Sequence, residues 1–347
     1  MTKPADITAD AVALQERDQF RAAGWTKIVA PAKVNLHLAI GARRDDGYHD
    51  AVSIMHALMI HDVVYMRRAC AAQAAAHSCM LVGMGDVEVP DVAPEDNLAI
   101  RAVVALAEAF GLDPQESALE MRIEKNIPAQ GGLGGGSTDA AAALVGAAHL
   151  WGLDLSDART AAIVEQTARK LGADVAFFLR GGCSAYTGTG DTFERAITPM
   201  KRTVVLVKPD GGVSTAAAYH TFDEDPVVVP YEVAQNAREA LCADDLQLFN
   251  NLAPAAERLM PELAEIRDWL EDQPGVEGAL LCGSGATTFA VCDALAAATR
   301  IVAGARQRGL WARTTSFAPI RAQIVATADG SPVTASTSFA SEQAVRP

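Results

Sequence analysis

Residues 128–140, Pro128-Ala129-Gln130-Gly131-Gly132-Leu133-Gly134-Gly135-Gly136-Ser137-Thr138-Asp139-Ala140, hold five glycines within six positions. A backbone without side chains lets a bulky anion come close to its N–H groups. The Ala-rich run behind the loop has helical character, and the free N–H groups and positive dipole end of a helix start add to an anion site. Ser137 and Thr138 put hydroxyls at that start, where they can cap the helix, touch phosphate or reach a phosphate-bound Mg²⁺. A flexible connector would explain the glycines but not a helix start packed directly behind them. Two other places carry proton-handling groups. Lys33 and Asn35 lie on the same side of an alternating segment, a cation and an amide pointing one way. Asp174 stands among Ala173, Val175, Ala176, Phe177 and Phe178, and a carboxylate in so apolar a stretch must cap a helix, pair with a cation or do chemistry. A cation, a carboxylate and an anion cradle are together the parts that a phosphoryl transfer needs.

Several other chemistries find no support. The loop has no Lys followed by Ser or Thr after its last glycine, so it is not a Walker A, and no literal G-x-G-x-x-G is present. The six cysteines (Cys70, Cys79, Cys183, Cys242, Cys282, Cys292) form no C-x-x-C pair and no zinc spacing, and they read as scattered thiols of a reducing compartment. With 29 Lys and Arg against 43 Asp and Glu, the formal charge of −14 repels a phosphate backbone or an anionic membrane. Residues 279–298 are too polar to span a bilayer, and residues 1–20 lack the apolar run of a signal peptide. A cytoplasmic protein with neither nucleic-acid nor membrane partners is expected.

The 347 residues suit about two domains. Lys33 to Ile40 alternates, with Val34, Leu36, Leu38 and Ile40 on one face and Asn35 and His37 on the other, which predicts a strand. Asp46-Gly47 supplies a hairpin turn, and Tyr48 and His49 follow it. Helices are predicted from the Pro94–Asn97 caps to Gly111, over 137–151, and from Ser156 to Gly172. Leu119–Lys125 and Thr203–Val207 read as strands, and helical stretches follow near 214–222, 233–242 and 254–271. Two strands around Gly283-Ser284-Gly285, a helix ending before Gly309 and a strand over 312–317 complete an α+β pattern in two lobes. The domains expected are an extension (1–22), a first lobe (23–190), a second lobe (191–320) and a tail (321–347) whose Ala, Ser and Thr content leaves room for disorder.

The glycine loop is similar to the P-x-x-x-G-L-G-S-S/G-G-S-A/D-A-A loop of the GHMP kinases, the superfamily of galactokinase, homoserine kinase, mevalonate kinase and phosphomevalonate kinase. Gly283-Ser284-Gly285-Ala286-Thr287-Thr288-Phe289 resembles their C-terminal glycine motif. Ala30-Pro31-Ala32-Lys33-Val34-Asn35-Leu36, Gly41-Ala42-Arg43-Arg44-Asp45-Asp46-Gly47-Tyr48-His49 and Leu171-Gly172-Ala173-Asp174-Val175-Ala176-Phe177-Phe178-Leu179 resemble one subfamily, whose acceptor is a cytidine-diphosphate-linked methylerythritol. The G-E-H of galactokinases and mevalonate kinases is absent, and the resemblance runs from about residue 25 to 318.

The resemblance implies a two-lobed fold, with an N-terminal lobe like ribosomal protein S5 domain 2, a C-terminal ferredoxin-like lobe and the active site between them. It implies ATP and Mg²⁺ as cofactors, a small-molecule substrate, and a monomer or homodimer; which groups hold the metal stays open. It implies that Pro128, Gly131, Gly132, Leu133, Gly134, Gly135, Gly136, Ser137 and Thr138 hold ATP and that Gly283, Ser284 and Gly285 close the site. Lys33 and Asp174 would be catalytic, the aspartate as general base and the lysine orienting the acceptor hydroxyl. Asn35, Tyr48, His49, Thr215 and Tyr219 would bind substrate, with Tyr48 and Tyr219 stacking a base and His49 bonding its edge. The sequence departs from the subfamily pattern at Gln130 (for Gly), Gly131 (for Ala), Ala176 (for Pro), and at Asn251 and Ala253, where both acids of an N-D-L-E are missing. Two rivals stay open: another small-molecule kinase of the superfamily, and a nucleotide-binding sensor without catalysis.

Overall fold

The computed structural model describes residues 23–70, 77–327 and 333; the expected N-terminal extension and most of the expected tail lie outside these. In chain order the first part runs β1 (Thr26–Arg43), β2 (His49–Arg68), β3 (Ser78–Gly83), α1 (Leu98–Phe110), β4 (Leu119–Lys125), α2 (Gly135–Trp151), α3 (Ala158–Leu171), α4 (Ala173–Arg180), β5 (Cys183–Thr187) and β6 (Thr192–Ile197). The second part runs β7 (Thr203–Lys208), α5 (Thr215–Glu224), α6 (Tyr231–Glu239), β8 (Phe249–Asn250), α7 (Ala253–Leu259), α8 (Glu262–Glu271), β9 (Val276–Leu281), β10 (Thr288–Cys292), α9 (Leu295–Gln307), β11 (Trp311–Ser316) and β12 (Gln323–Ala326).

One sheet has the order β12-β1-β2-β4-β3, with β5 joined to β2 and β6, and β8 joined to β1; the other is β11-β7-β10-β9. Because β6 pairs with β5, the first lobe extends through Ile197 rather than ending at 190. The tail expected from 321 is also corrected: Gln323 to Ala326 pair with Lys27 to Val29 and close an edge of the first sheet. The single helical stretch expected over 254–271 is two helices, because Pro261 has no N–H to continue the first.

Helix α2 explains its own composition. Ala140 to Ala143, Ala147 and Ala148 are all buried, and a side chain on Gly146 would collide with the Met66 sulfur. Small residues let this helix lie against the sheet with α1 and α4 around it. Asn97 caps α1 through its side chain, accepting from Ala99 N at 2.9 Å, and Gly111 ends it in the left-handed region, as the sequence suggests. Asp157, not Ser156, caps α3. In β7 the two-residue period sends Val204 and Leu206 into the core between the sheets, and Val205 and Val207 into the core under α8 and α9.

Two histidines are caught in this packing. His37 stacks near Phe249 with centroids 5.5 Å apart, and His56 lies 4.6 Å from the Phe317 ring. Burial pushes both imidazoles down to about 4 from 6.5, in His56 against the opposing pull of the Ala57 carbonyl. Between pH 6.5 and 4 the unfolded chain therefore binds more protons than the folded one. Stability complete above pH 6.5 is lost as the pH falls through that window, by up to about 3 kcal/mol per histidine. Thermal melts at pH 7 and 4.5 check this, and His37→Leu should flatten the slope.

Candidate active site

The glycine loop is held from two sides by its own carbonyls. Leu133 O accepts from Lys33 N at 3.1 Å, Gln130 O from Ala286 N at 3.1 Å, and Gly131 O from Thr287 N at 3.2 Å. Gly134 starts α2 at φ 75, and the first N–H groups of the helix have no partner within it. Pro128 and the residues Gly131 to Gly136 line a groove of about 280 Å³. The loop is pressed so close to the 282–285 turn that a Cβ on Gly132 (φ 71) would overlap Cys282 O, and so close to α4 that one on Gly134 would stand 2.7 Å from the Phe178 ring. A Cβ on Gly131 would meet the Thr287 hydroxyl at 2.6 Å, which explains why this chain has no alanine there. Gln130 carries the matching cost, since its φ of 52 lies where a side chain is disfavoured. Gln130→Gly should stabilise the protein by about 0.5–1 kcal/mol, the left-handed penalty less the extra chain entropy of glycine, measured as a rise in Tm.

Beneath the loop, Lys125 Nζ binds Asp62 and, at 2.5 Å, Asp139 Oδ2. Asp62 Oδ1 also accepts from the N–H groups of Asn126 (2.5 Å) and Ile127 (2.8 Å), which ties the loop's root to β2. Burial pushes the Asp139 carboxyl up, with the charge of Asp62 adding to it and Lys125 opposing, and Asp139 Oδ1 has no partner. The sequence placed Thr138 at the anion, and the structure does not. Its side chain is wholly buried, its hydroxyl has no partner, and it lines none of the site's cavities, because a residue one position past Ser137 on a helix turns about 100° away.

A second cavity of about 350 Å³ adjoins the groove, sharing Gly132 and Gly134 with it, and is lined by Lys33, Asn35, Ser137 and Asp174. Lys33 Nζ donates to Asn35 Oδ1 at 2.8 Å and stands 3.3 Å from Asp174 Oδ2; Asn35 Nδ2 donates to Ser53 at 2.9 Å. The lysine side chain is 5% exposed and the aspartate 33%, so the lysine is no solubilising surface group. Asp174 lies in the first turn of α4, and no side chain caps that helix, so the carboxylate is an ion-pair partner rather than a cap. The alternation read along β1 breaks after Asn35. The pairing shifts between Asn35 and His37, so Leu38 lines the cavity beside Lys33 and Asn35, while His37 leaves it for Phe249.

The closing turn is positioned by a residue that sequence reasoning did not single out. Asn250 Nδ2 donates to Leu281 O (2.9 Å) and Gly283 O (2.8 Å), and its Oδ1 accepts from Leu252 N at 3.0 Å. Ser284 reaches the Thr215 hydroxyl at 3.0 Å, joining the turn to α5. Asn251 explains the missing acid. Its amide both accepts from Ile40 N (2.8 Å) and donates to Ile40 O and Val227 O (2.9 Å each), and a carboxylate could only accept.

A third cavity, about 730 Å³, opens between the hairpin and α5. It shares Thr189 and Tyr219 with the second, so Tyr219 faces both. Gly47 N donates to Arg44 O and Arg44 N to Tyr48 O, which turns the Tyr48 ring outward, 65% exposed. His49 is buried, 5.2 Å from the Tyr219 ring, and bonds Asp223 through Nε2 at 2.6 Å; Arg43 stands 3.6 Å from the other oxygen of Asp223. Cys79, Cys183, Cys242, Cys282 and Cys292 are free thiols. Among the described residues no helix is long and apolar enough to cross a membrane.

Comparison with known proteins agrees with this geometry. The profile of the GHMP kinases N terminal domain matches residues 97–182, and that of the GHMP kinases C terminal region matches 236–309. The 4-diphosphocytidyl-2-C-methyl-D-erythritol kinase of Desulfitobacterium hafniense is 38% identical over 287 residues, 81% of this chain and 92% of the relative. That of Pelotomaculum thermopropionicum is 36% identical over 80% of this chain and 93% of the relative. A crystal structure of 4-(cytidine 5′-diphospho)-2C-methyl-D-erythritol kinase superposes with a TM-score of 0.66 at 30% identity, covering 84% of this chain and all of the other. Mevalonate kinase from L. major, 19% identical with a TM-score of 0.61 over 84% of this chain and 96% of the other, shares the fold. The chain belongs to the 4-diphosphocytidyl-2-C-methyl-D-erythritol kinase family of the GHMP kinases.

Proposed function

We infer that this chain transfers the γ-phosphoryl group of ATP to the 2-hydroxyl of 4-diphosphocytidyl-2-C-methyl-D-erythritol, giving the 2-phosphate and ADP in the non-mevalonate route to isoprenoid precursors. The observation that carries the reading is the order of the three cavities. The phosphate groove meets the Lys33–Asp174 cavity at Gly132 and Gly134, and that cavity meets the aromatic one at Thr189 and Tyr219. A donor nucleotide, a reacting hydroxyl and a distant base thus each have a place in one line.

Asp174 is the general base. It takes the proton of the acceptor hydroxyl as the new oxygen–phosphorus bond forms and the bond to the β-phosphate oxygen breaks, releasing ADP. Lys33 orients that hydroxyl and sets a positive charge beside the carboxylate. The N–H groups at the start of α2, with Ser137, bind phosphate oxygens, and the 283–285 turn covers them. Tyr48 and Tyr219 stack the base, and Asn35 and Thr215 face the acceptor. Among the described residues no cluster of three or more His, Cys, Asp or Glu side chains forms a dedicated cation site. That suits a Mg²⁺ held mainly by phosphate and water, with the Ser137 hydroxyl and the unpartnered oxygen of Asp139 as its protein donors. When bound it neutralises phosphate charge. The resemblance implies a monomer or a homodimer, and the acidic formal charge and the use of ATP suit the cytoplasm.

ADP release with purified protein tests the reading. Turnover is expected with the cytidylyl acceptor and not with mevalonate phosphate or homoserine. Turnover with one of the latter would overturn the substrate, and ATP binding without turnover on any acceptor would overturn the activity.

A further inference from the structure

We propose that Asp223 gives the outer cavity its preference for a pyrimidine bearing an amino group, by fixing which nitrogen of His49 carries the proton. The inference rests on the reading above that this cavity receives the base. Tyr219, Phe222 and Asp223 are spaced three and four residues apart on α5, and all three converge on His49. The Tyr219 ring is 5.2 Å away and tilted, the Phe222 ring meets it edge-on at 6.1 Å, and the Asp223 carboxylate binds Nε2 at 2.6 Å. Two aromatic neighbours and an exposure near 8% hold the imidazole in place. Both Asp223 oxygens are turned to donors: one faces His49, and the other faces Arg43 Nη1 at 3.6 Å. An acceptor-only partner at Nε2 requires Nε2 to be the N–H, and the neutral ring then has only a lone pair at Nδ1. A lone pair accepts from an exocyclic amine. A carbonyl oxygen at the same place would set two acceptors against each other. The carboxylate thus works through the histidine, as a positioning residue, and the selection is for cytosine over uracil chemistry.

The test compares the cytidine diphosphate substrate with its uridine counterpart, in the parent protein and in Asp223→Asn, whose amide can either donate or accept and so no longer dictates the tautomer. The parent should favour cytidine by about ten- to a hundredfold in kcat/KM, the discrimination typical of one well-placed base-edge hydrogen bond. Asp223→Asn should bring the ratio close to one, with the change falling on KM rather than kcat. Nitrogen NMR of ¹⁵N-histidine-labelled parent protein, which needs no variant, should show the His49 proton on Nε2. A proton on Nδ1, or a variant that loses turnover equally with both substrates, would overturn the proposal. A parent that uses both substrates equally well would overturn it while leaving the kinase reading intact. A parent that uses neither would overturn the kinase reading itself.

Discussion

Replacing Asp174 with asparagine should lower kcat about 10²–10⁴-fold, the range in which a positioned general base contributes. The substitution keeps the size and a hydrogen-bonding oxygen but removes the carboxylate proposed to take the proton. Because Asp174 lines the central cavity and not the phosphate groove, ATP affinity should stay within about twofold, and the loss should appear in single-turnover phosphoryl transfer. Lys33→Ala should cost activity over a similar range. The fold should tolerate it, since the carboxylate left behind is 33% exposed and water can solvate it. Turnover near the parent's in either variant would remove the pair from the mechanism.

The second large effect is expected from Gly132→Ala. At φ 71 a side chain costs about 1–2 kcal/mol, and its Cβ would overlap a backbone oxygen, Cys282 O, which cannot swing aside as a side chain can. Overpacking of this kind adds about 1–3 kcal/mol. Relief requires the loop and the 282–285 turn to separate, and that separation opens the anion cradle. The variant should therefore melt several degrees lower and lose most of its ATP affinity, as calorimetric titration would show. Gly136→Ala is the control, because nothing lies within 4 Å of its Cβ position and its φ is not in the left-handed region. Equal effects at both positions would mean that loop flexibility, not close approach, is what the glycines provide.

How much of this could be read beforehand depends on whether the information is local. Loop, helix start, capping Asn97 and terminating Gly111 are written in neighbouring residues, and the structure has them. The Lys33–Asp174 pairing joins residues far apart in sequence; the resemblance implies a shared role for the two, and local chemistry only makes each residue conspicuous. The side-chain directions beyond Asn35 were missed because a register shift between two strands leaves no mark in the composition of either. β2 went unread for a related reason: Ile54 to Leu58 are buried on both faces, so no alternation shows. Asn250, Asn251 and Asp223 act on partners that the fold brings from elsewhere, and nothing near them in sequence sets them apart from ordinary polar residues.

The two strands that close the free edge of β1 come late. Phe249 and Asn250 pair beside His37 and Leu38, and Gln323 to Ala326 pair beside Lys27 to Val29. On the ribosome, where residues emerge at about 5–20 per second, β1 waits tens of seconds for its last neighbour. Through that interval its unpaired N–H and C=O groups are a template for pairing with another chain. The first lobe is therefore not finished when its own segment has been synthesised. Its completion waits for residues 323–326, and a nascent chain stalled before residue 323 would carry an open, aggregation-prone sheet edge next to Lys33, already in its strand.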